Sequence, residues 1–203
     1  MAMRKFLTLG LIGLVFTACN SEGSQNESQE CVYSYSDSQT ILEWTAFKFT
    51  DKTPVKGTFN DVTITTISNA TSVDELIASI GFSIPVASVE TQDETKNSNI
   101  INGFFKFMGP DVIVGNVVSV KANELTFEVS LNGVKEKVTG NYEVSGTLFS
   151  FKGTMNLTLF GANKAMASLN NQCGDNHKGP DGVTTMSDKV ELSFTTQLVK
   201  TCK

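Results

Sequence analysis

The sequence predicts an all-β domain, a closed antiparallel up-and-down barrel of about eight strands with short helices. Apolar and polar residues alternate over long stretches, as in strands that bury one face. Leu125, Phe127, Val129 and Leu131 alternate with Thr126, Glu128 and Ser130. Asn132-Gly133 follows, a strong hairpin signal because both central positions of a type I′ turn need positive φ. Val134, Val138, Tyr142 and Val144 share one face of the return strand, opposite Lys135, Lys137, Asn141 and Glu143. A Ser145-Gly146 turn leads to Thr147, Phe149, Phe151, Met155, Leu157 and Leu159 at alternate positions, completing a three-stranded meander. Such faces must be covered, and closing the sheet covers them while removing its edges. The chain's fourteen Phe suit a greasy interior, which at about eight strands is either filled by side chains or just wide enough for one small ligand.

Residues 1–18 read as a removable signal peptide. Arg4 and Lys5 precede an apolar run from Phe6 to Phe16 that is shorter than the roughly 20 residues of a membrane span. The run ends Val15-Phe16-Thr17-Ala18-Cys19, and a small residue before Cys after such a run resembles a bacterial lipobox. Cys19 is therefore the expected lipid anchor, placing the protein on the outer membrane, facing the periplasm or the cell surface. Residues 19–30 then form a tether: Asn20–Glu30 contains no apolar side chain to offset ordering entropy. The barrel domain occupies residues 31–203.

Five more strands are expected beside the meander, at Ile41–Phe49, Val55–Ile67, Phe82–Glu90, Val112–Lys121 and Val190–Lys200. In the last, Val190, Leu192, Phe194 and Leu198 share a face. Helices are few. Ser72-Val73-Asp74-Glu75 fits a capping box before Leu76. Asp93–Phe105 starts acidic and ends apolar, as a helix crossing a barrel end would. Ala162–Cys173 places Ala165, Met166, Leu169 and Cys173 on one side. Gly174–Gly182 reads as a loop.

An exported chain meets an oxidising compartment, so one disulfide is expected among Cys31, Cys173 and Cys202. First and last strands are neighbours in a closed up-and-down barrel, which brings Cys31 and Cys202 to the same end. Cys31–Cys173 is the alternative, since Cys173 lies on the way into the last strand. The net charge of −5 becomes −7 once Arg4 and Lys5 are removed, and Arg4 is the only Arg. An acidic chain without Arg is a poor nucleic-acid binder, so membrane association falls to the acyl chains and no nucleic-acid partner is expected.

The run Glu43-Trp44-Thr45-Ala46-Phe47-Lys48-Phe49-Thr50-Asp51-Lys52, followed by Val55-Lys56-Gly57-Thr58-Phe59, resembles the opening strands of the YceI-like domain. Phe82-Ser83-Ile84-Pro85-Val86-Ala87-Ser88-Val89, then Thr91 and a polar run to Phe104-Phe105, is similar to that family's third strand and following helix. Asn141-Tyr142-Glu143-Val144-Ser145-Gly146-Thr147-Leu148 with Phe151-Lys152-Gly153 resembles its G-x-Y-x-V-x-G-x-L hairpin. The resemblance runs from about residue 31 to 200. It implies a lipocalin-like barrel whose lumen holds a polyisoprenoid or other long-chain lipid without chemistry. Many members carry an Arg-Asp pair after the third strand; Gln92-Asp93-Glu94-Thr95-Lys96 has no Arg, so no head-group residue is carried over.

Alternation alone nominates Phe127, Val129, Leu131, Phe149, Phe151, Leu192 and Phe194 as lumen residues. Glu136 shares the face of Val134 and Val138 and is a candidate for a ligand head group, against the alternative of a bulge or a place near the barrel mouth. Cys173, Asp175 and His177 form Cys-x-Asp-x-His. A structural zinc site wants four N/S ligands and a Cys–His pair wants tertiary support, so a solvated loop beside a structural Cys is the expectation, with no metal and no cofactor. His177 is the only His, and Asp93 and Glu94 read as helix-start acids. Enzymatic chemistry is not expected. Two functions remain: sequestration of an isoprenoid-type lipid, or a structural or interaction lipoprotein with a packed barrel and no ligand.

Overall fold

In a computed structural model, residues 30–36, 40–67, 69–109 and 111–203 are described. The expected signal peptide, Cys19 and the expected tether up to residue 29 lie outside them. Among the described residues, eleven strands form one antiparallel sheet that curls into a half-barrel with a few short helices. They are β1 (Cys31–Tyr35), β2 (Ile41–Lys48), β3 (Thr53–Phe59), β4 (Thr63–Thr65), β5 (Gly81–Pro85), β6 (Val89–Glu90), β7 (Val112–Lys121), β8 (Glu124–Leu131), β9 (Val134–Ser145), β10 (Leu148–Asn156) and β11 (Lys189–Cys202). The order is β4-β5-β7-β8-β9-β10-β11-β2-β3-β6, with β1 also on β11.

The meander is formed by β8, β9 and β10. Asn132 and Gly133 carry φ of 55° and 69°, as the tight turn between β8 and β9 requires. Gly140 of β9 has a separate role. A Cβ there would stand 2.1 Å from the backbone oxygen of Lys152 on β10, so only Gly lets these strands approach. Gly140→Ala is expected to cost about 2–3 kcal/mol through forced backbone displacement, read as a lower denaturant midpoint at unchanged slope.

Two expected strands are each broken. Val55–Ile67 is β3 and β4, separated by Asn60-Asp61-Val62. Phe82–Glu90 is β5 and β6, separated by a 3₁₀ turn at Val86–Ser88, where the Ser88 hydroxyl donates to the Pro85 carbonyl at 2.7 Å. The two broken segments still run alongside each other. Thr58 and Phe59 pair with Glu90 and Val89, and Thr63, Ile64 and Thr65 pair with Ser83, Phe82 and Gly81. Strand β1 was not expected, because Cys31–Tyr35 carries little apolar alternation. It lies against the C-terminal half of β11 in a register that puts Cys31 opposite Cys202. These two form a disulfide with Cα atoms 4.0 Å apart, and Cys173 is a free thiol.

The α-helices among the described residues are α1 (Val73–Ala78), α2 (Glu94–Asn99), α3 (Lys106–Met108) and α4 (Asn163–Cys173). The Ser72 hydroxyl caps α1 by accepting from Glu75 N at 3.1 Å. The Glu75 carboxylate reaches back past Ser72, accepting from Thr71 N at 2.7 Å and Thr71 Oγ1 at 2.8 Å. Leu76 and Ile77 are fully buried, and β1 is tied to the stretch before this helix through Tyr33 and Ala70. Asp93 caps α2 through Thr95 N and Lys96 N. A π-helical turn, Ile100–Phe105, continues α2 into α3, which widens the helix and drives Phe104 and Phe105 inward.

These elements separate at two ends. Strand β2 finishes at Lys48 where β11 begins (Glu191 opposite Thr45), so the disulfide stands at the far end of β11. Near the disulfide, Leu125, Phe149 and Leu198 are buried together with α1. At the opposite end α4 packs on the π-helical turn. Gly103 lies against Leu169 and Gln172, and Gln172 Nε2 donates to Asn99 Oδ1 at 3.0 Å.

Candidate lipid-binding cavity

Between these ends lies a cavity of about 410 Å³, within the range of pockets that hold small organic ligands. Its wall is built from inward-facing positions of successive strands. Phe127, Val129 and Leu131 come from β8, Phe151 from β10, and Leu192 and Phe194 from β11. Phe127 joins two parts of this wall, edge-on to Phe82 at 5.8 Å and to Phe151 at 5.1 Å between ring centroids.

Phe149 departs from the lumen expectation. It is fully buried but does not line the cavity; it packs against Tyr142 and Phe194 at 5.9 Å, in the filled disulfide end. Alternation gave its face correctly, but β10 carries it about 6–7 Å further along the strand than Phe151, past the end of the open space. Glu136 is half-buried opposite Val129 and is not among the lining residues.

Strand β2 contributes wall residues that alternation of the last four strands did not nominate, namely Leu42, Trp44 and Ala46. The Trp44 indole N–H donates to the Thr58 carbonyl at 3.3 Å, satisfying its polar edge while the ring faces the cavity. Gly57 makes this possible, because a Cβ there would stand 2.3 Å from the Trp44 ring. Ile100, Phe104 and Phe105 of the π-helical turn close the space from above, with Phe105 tilted on Phe59 at 6.2 Å. The acidic-to-apolar change along Asp93–Phe105 was the sequence signal for them.

Polar residues gather at the helical end: Lys48, Asp93, Lys96, Asn99, Asn176 and His177. The segment leading into α2 is fixed by Asn97, whose Oδ1 accepts from Thr91 N at 2.8 Å and whose amide donates to Glu90 at 3.2 Å. Asn97 chiefly holds the Glu90 carboxyl below the ordinary range. The Asp93 carboxyl is lowered, mostly by the Lys96 backbone N–H, and Lys96 Nζ stands 3.4 Å from it. Lys48 Nζ donates to the Asn176 carbonyl at 3.2 Å.

Cys173 and His177 both reach this mouth, whereas Asp175 is exposed and away from it. Burial pushes the Cys173 thiol up, partly opposed by Lys48 and Asn99, so it is a poor nucleophile at neutral pH. Among the described residues, no three metal-ligating side chains gather. His177 Nδ1 lies 2.7 Å from Asn170 Oδ1, and burial, then Lys48, holds its pKa below 6.5. The neutral form is therefore favoured by folding. Its contribution to stability is present above pH 6.5 and is lost as pH falls through the lowered value. His177→Gln is expected to flatten the fall in thermal midpoint just below pH 6.5, before the carboxylates titrate.

Comparison with known proteins agrees with this architecture. No curated protein sequence matches the chain significantly. Solved structures share the fold at low identity, three of them as follows. Burkholderia cenocepacia BcnA is 14% identical with a TM-score of 0.53, over 82% of this chain and 99% of that one. A polyisoprenoid binding domain from Saccharophagus degradans is 13% identical with a TM-score of 0.54, over 86% and 99%. The Campylobacter jejuni YCEI protein is 17% identical with a TM-score of 0.51, over 74% and 86%. The profile of the YceI-like domain matches residues 33–198, and the chain belongs to the YceI-like family.

Proposed function

We propose that this protein binds and sequesters a long apolar amphiphile of isoprenoid type, without chemistry, while anchored to the outer membrane through an acylated Cys19. The observation that carries the reading is the 410 Å³ cavity, apolar along its walls and polar at one mouth, a shape suited to a chain with a head group. It favours a hollow barrel over a packed one. The Saccharophagus degradans neighbour, a polyisoprenoid binding domain, supports the same ligand class. Each 100 Å² of ligand surface removed from water is worth about 2.5 kcal/mol, so a chain filling such a space gains enough to outweigh its ordering.

The reading takes the sheet as a closed barrel of eight long strands. Residues 53–65 count as one broken strand and residues 81–90 as its broken neighbour. Support comes from their shared pairing, Thr58 with Glu90 at one end and Thr65 with Gly81 at the other.

Trp44 provides the binding test. Titrating delipidated protein with geranylgeraniol is expected to change Trp44 emission saturably at one ligand per chain. A linear, non-saturable response contradicts lumen binding. The anchor has its own test. Cys19→Ser is expected to leave the membrane fraction, whereas retention there after signal cleavage and a salt wash rules out acyl anchoring.

A further inference from the structure

We infer that the cavity mouth is held away from the membrane that anchors the protein, so that ligand is exchanged with an apposed membrane. The inference rests on the acyl-anchor and lipid-binding readings above, and its own basis is the direction of the strands.

The chain enters the fold at Cys31, which is bonded to Cys202 at the C-terminal end of β11. The polar mouth stands at the other end of that strand. Lys48 ends β2 beside the start of β11, and Lys96, Asn99 and His177 belong to the helical segments across the same end. From Lys189 to Cys202 there are 14 residues, about 43 Å of strand. At the usual barrel tilt of about 40° this is about 33 Å along the axis.

From Cys19 to Cys31 the chain takes twelve Cα–Cα steps, a reach of at most about 43 Å when fully extended. To set the mouth on its own bilayer, the domain must invert and raise Cys31 by at least the barrel's height. That consumes about three quarters of the greatest possible reach, before the helices above the strands are counted. With the mouth pointing outward, the same tether carries no tension.

The expected source is a membrane because a long isoprenoid chain dissolves in bilayers rather than in water. The opening carries Lys48, together with Lys96 and its partner Asp93 3.4 Å away, a polar rim that suits the head groups of a bilayer. The occupant of the mouth during exchange is therefore an apposed bilayer.

The test uses the mature lipoprotein reconstituted into phosphatidylethanolamine–phosphatidylglycerol vesicles, with flotation verified first. Dansyl-labelled geranylgeraniol is placed either in the anchoring vesicles or in protein-free vesicles of the same composition. Energy transfer from Trp44, the only Trp and a cavity-wall residue, reports loading. Initial loading from the apposed vesicles is expected to be at least about tenfold faster, because a linker that barely spans its sites confers little effective concentration. Duplicating Asn20–Glu30 is expected to raise loading from the anchoring bilayer several-fold and leave the apposed rate unchanged. Equal or faster loading from the anchoring bilayer with the native tether overturns the inference, as does loading from neither vesicle when geranylgeraniol binds in solution. Failure to float refutes the acyl anchor instead, and absence of binding in solution refutes the lipid-binding reading.

Discussion

Phe127→Glu is expected to abolish retention of an apolar ligand, lowering affinity for geranylgeraniol by at least about a hundredfold while the domain still folds. The substitution puts a carboxyl among Phe82, Phe151 and Val129 on the cavity wall. An ionised carboxylate there faces either the ligand's hydrocarbon or water drawn into the lumen, and both outcomes oppose binding. Phe151→Glu has the same expected effect from the neighbouring strand. Phe149→Ala is the informative contrast. Phe149 is fully buried but off the cavity, so its truncation is expected to cost about 3–4 kcal/mol of stability and leave affinity in the folded fraction unchanged. Equal loss of binding in Phe149→Ala and Phe127→Glu, or full binding in a folded Phe127→Glu, removes the wall assignment.

Loss of the Cys31–Cys202 bond is the second large effect. The two residues are 171 apart, so the link constrains nearly the whole unfolded domain. Chain-entropy arguments give about 5 kcal/mol for a loop of that length, and strain or residual structure in the unfolded chain brings the expectation to about 3–5 kcal/mol. For a domain of this size that corresponds to a thermal midpoint lower by about 10 °C. The Cys31→Ala/Cys202→Ala protein is expected to show it by calorimetry. A shift below about 2 °C means that β1 and its bond stabilise little. Reducing agent is expected to shift the native protein to the same extent and leave the double variant unmoved.

The meander at β8–β10 and the face of β11 were legible because period-two patterning is local, as was the turn at Asn132-Gly133. Local chemistry also marked α1, α2 and α4, through Ser72, Asp93 and the apolar spacing of Ala165 and Leu169. Strand β1 was hidden because it is held by its pairing with the distant β11, by a disulfide spanning 171 residues and by its tie to Ala70 rather than by its own pattern. The break at Val86–Ser88 was hidden for a different reason, since Val86 and Val89 keep apolar character through a turn. For the site, alternation marked the face of β8, β10 and β11 that lines the cavity but not depth along the axis, so Phe149 lies off it. The polar mouth was not legible at all. Lys48, Asp93, Lys96 and His177 come from three distant segments, and only the packing of α4 on the π-helical turn brings them together.

Native mass spectrometry of the folded domain, purified without detergent from a bacterium that makes isoprenoid lipids, tests the central claim most directly. The predicted result is a protein carrying one non-covalent ligand, released on activation and identified as a long apolar chain with a single polar end. That species is expected to vanish in Phe127→Glu and persist in Phe149→Ala. Only the bare chain mass from both the native protein and Phe149→Ala, with geranylgeraniol failing to add to either, contradicts it.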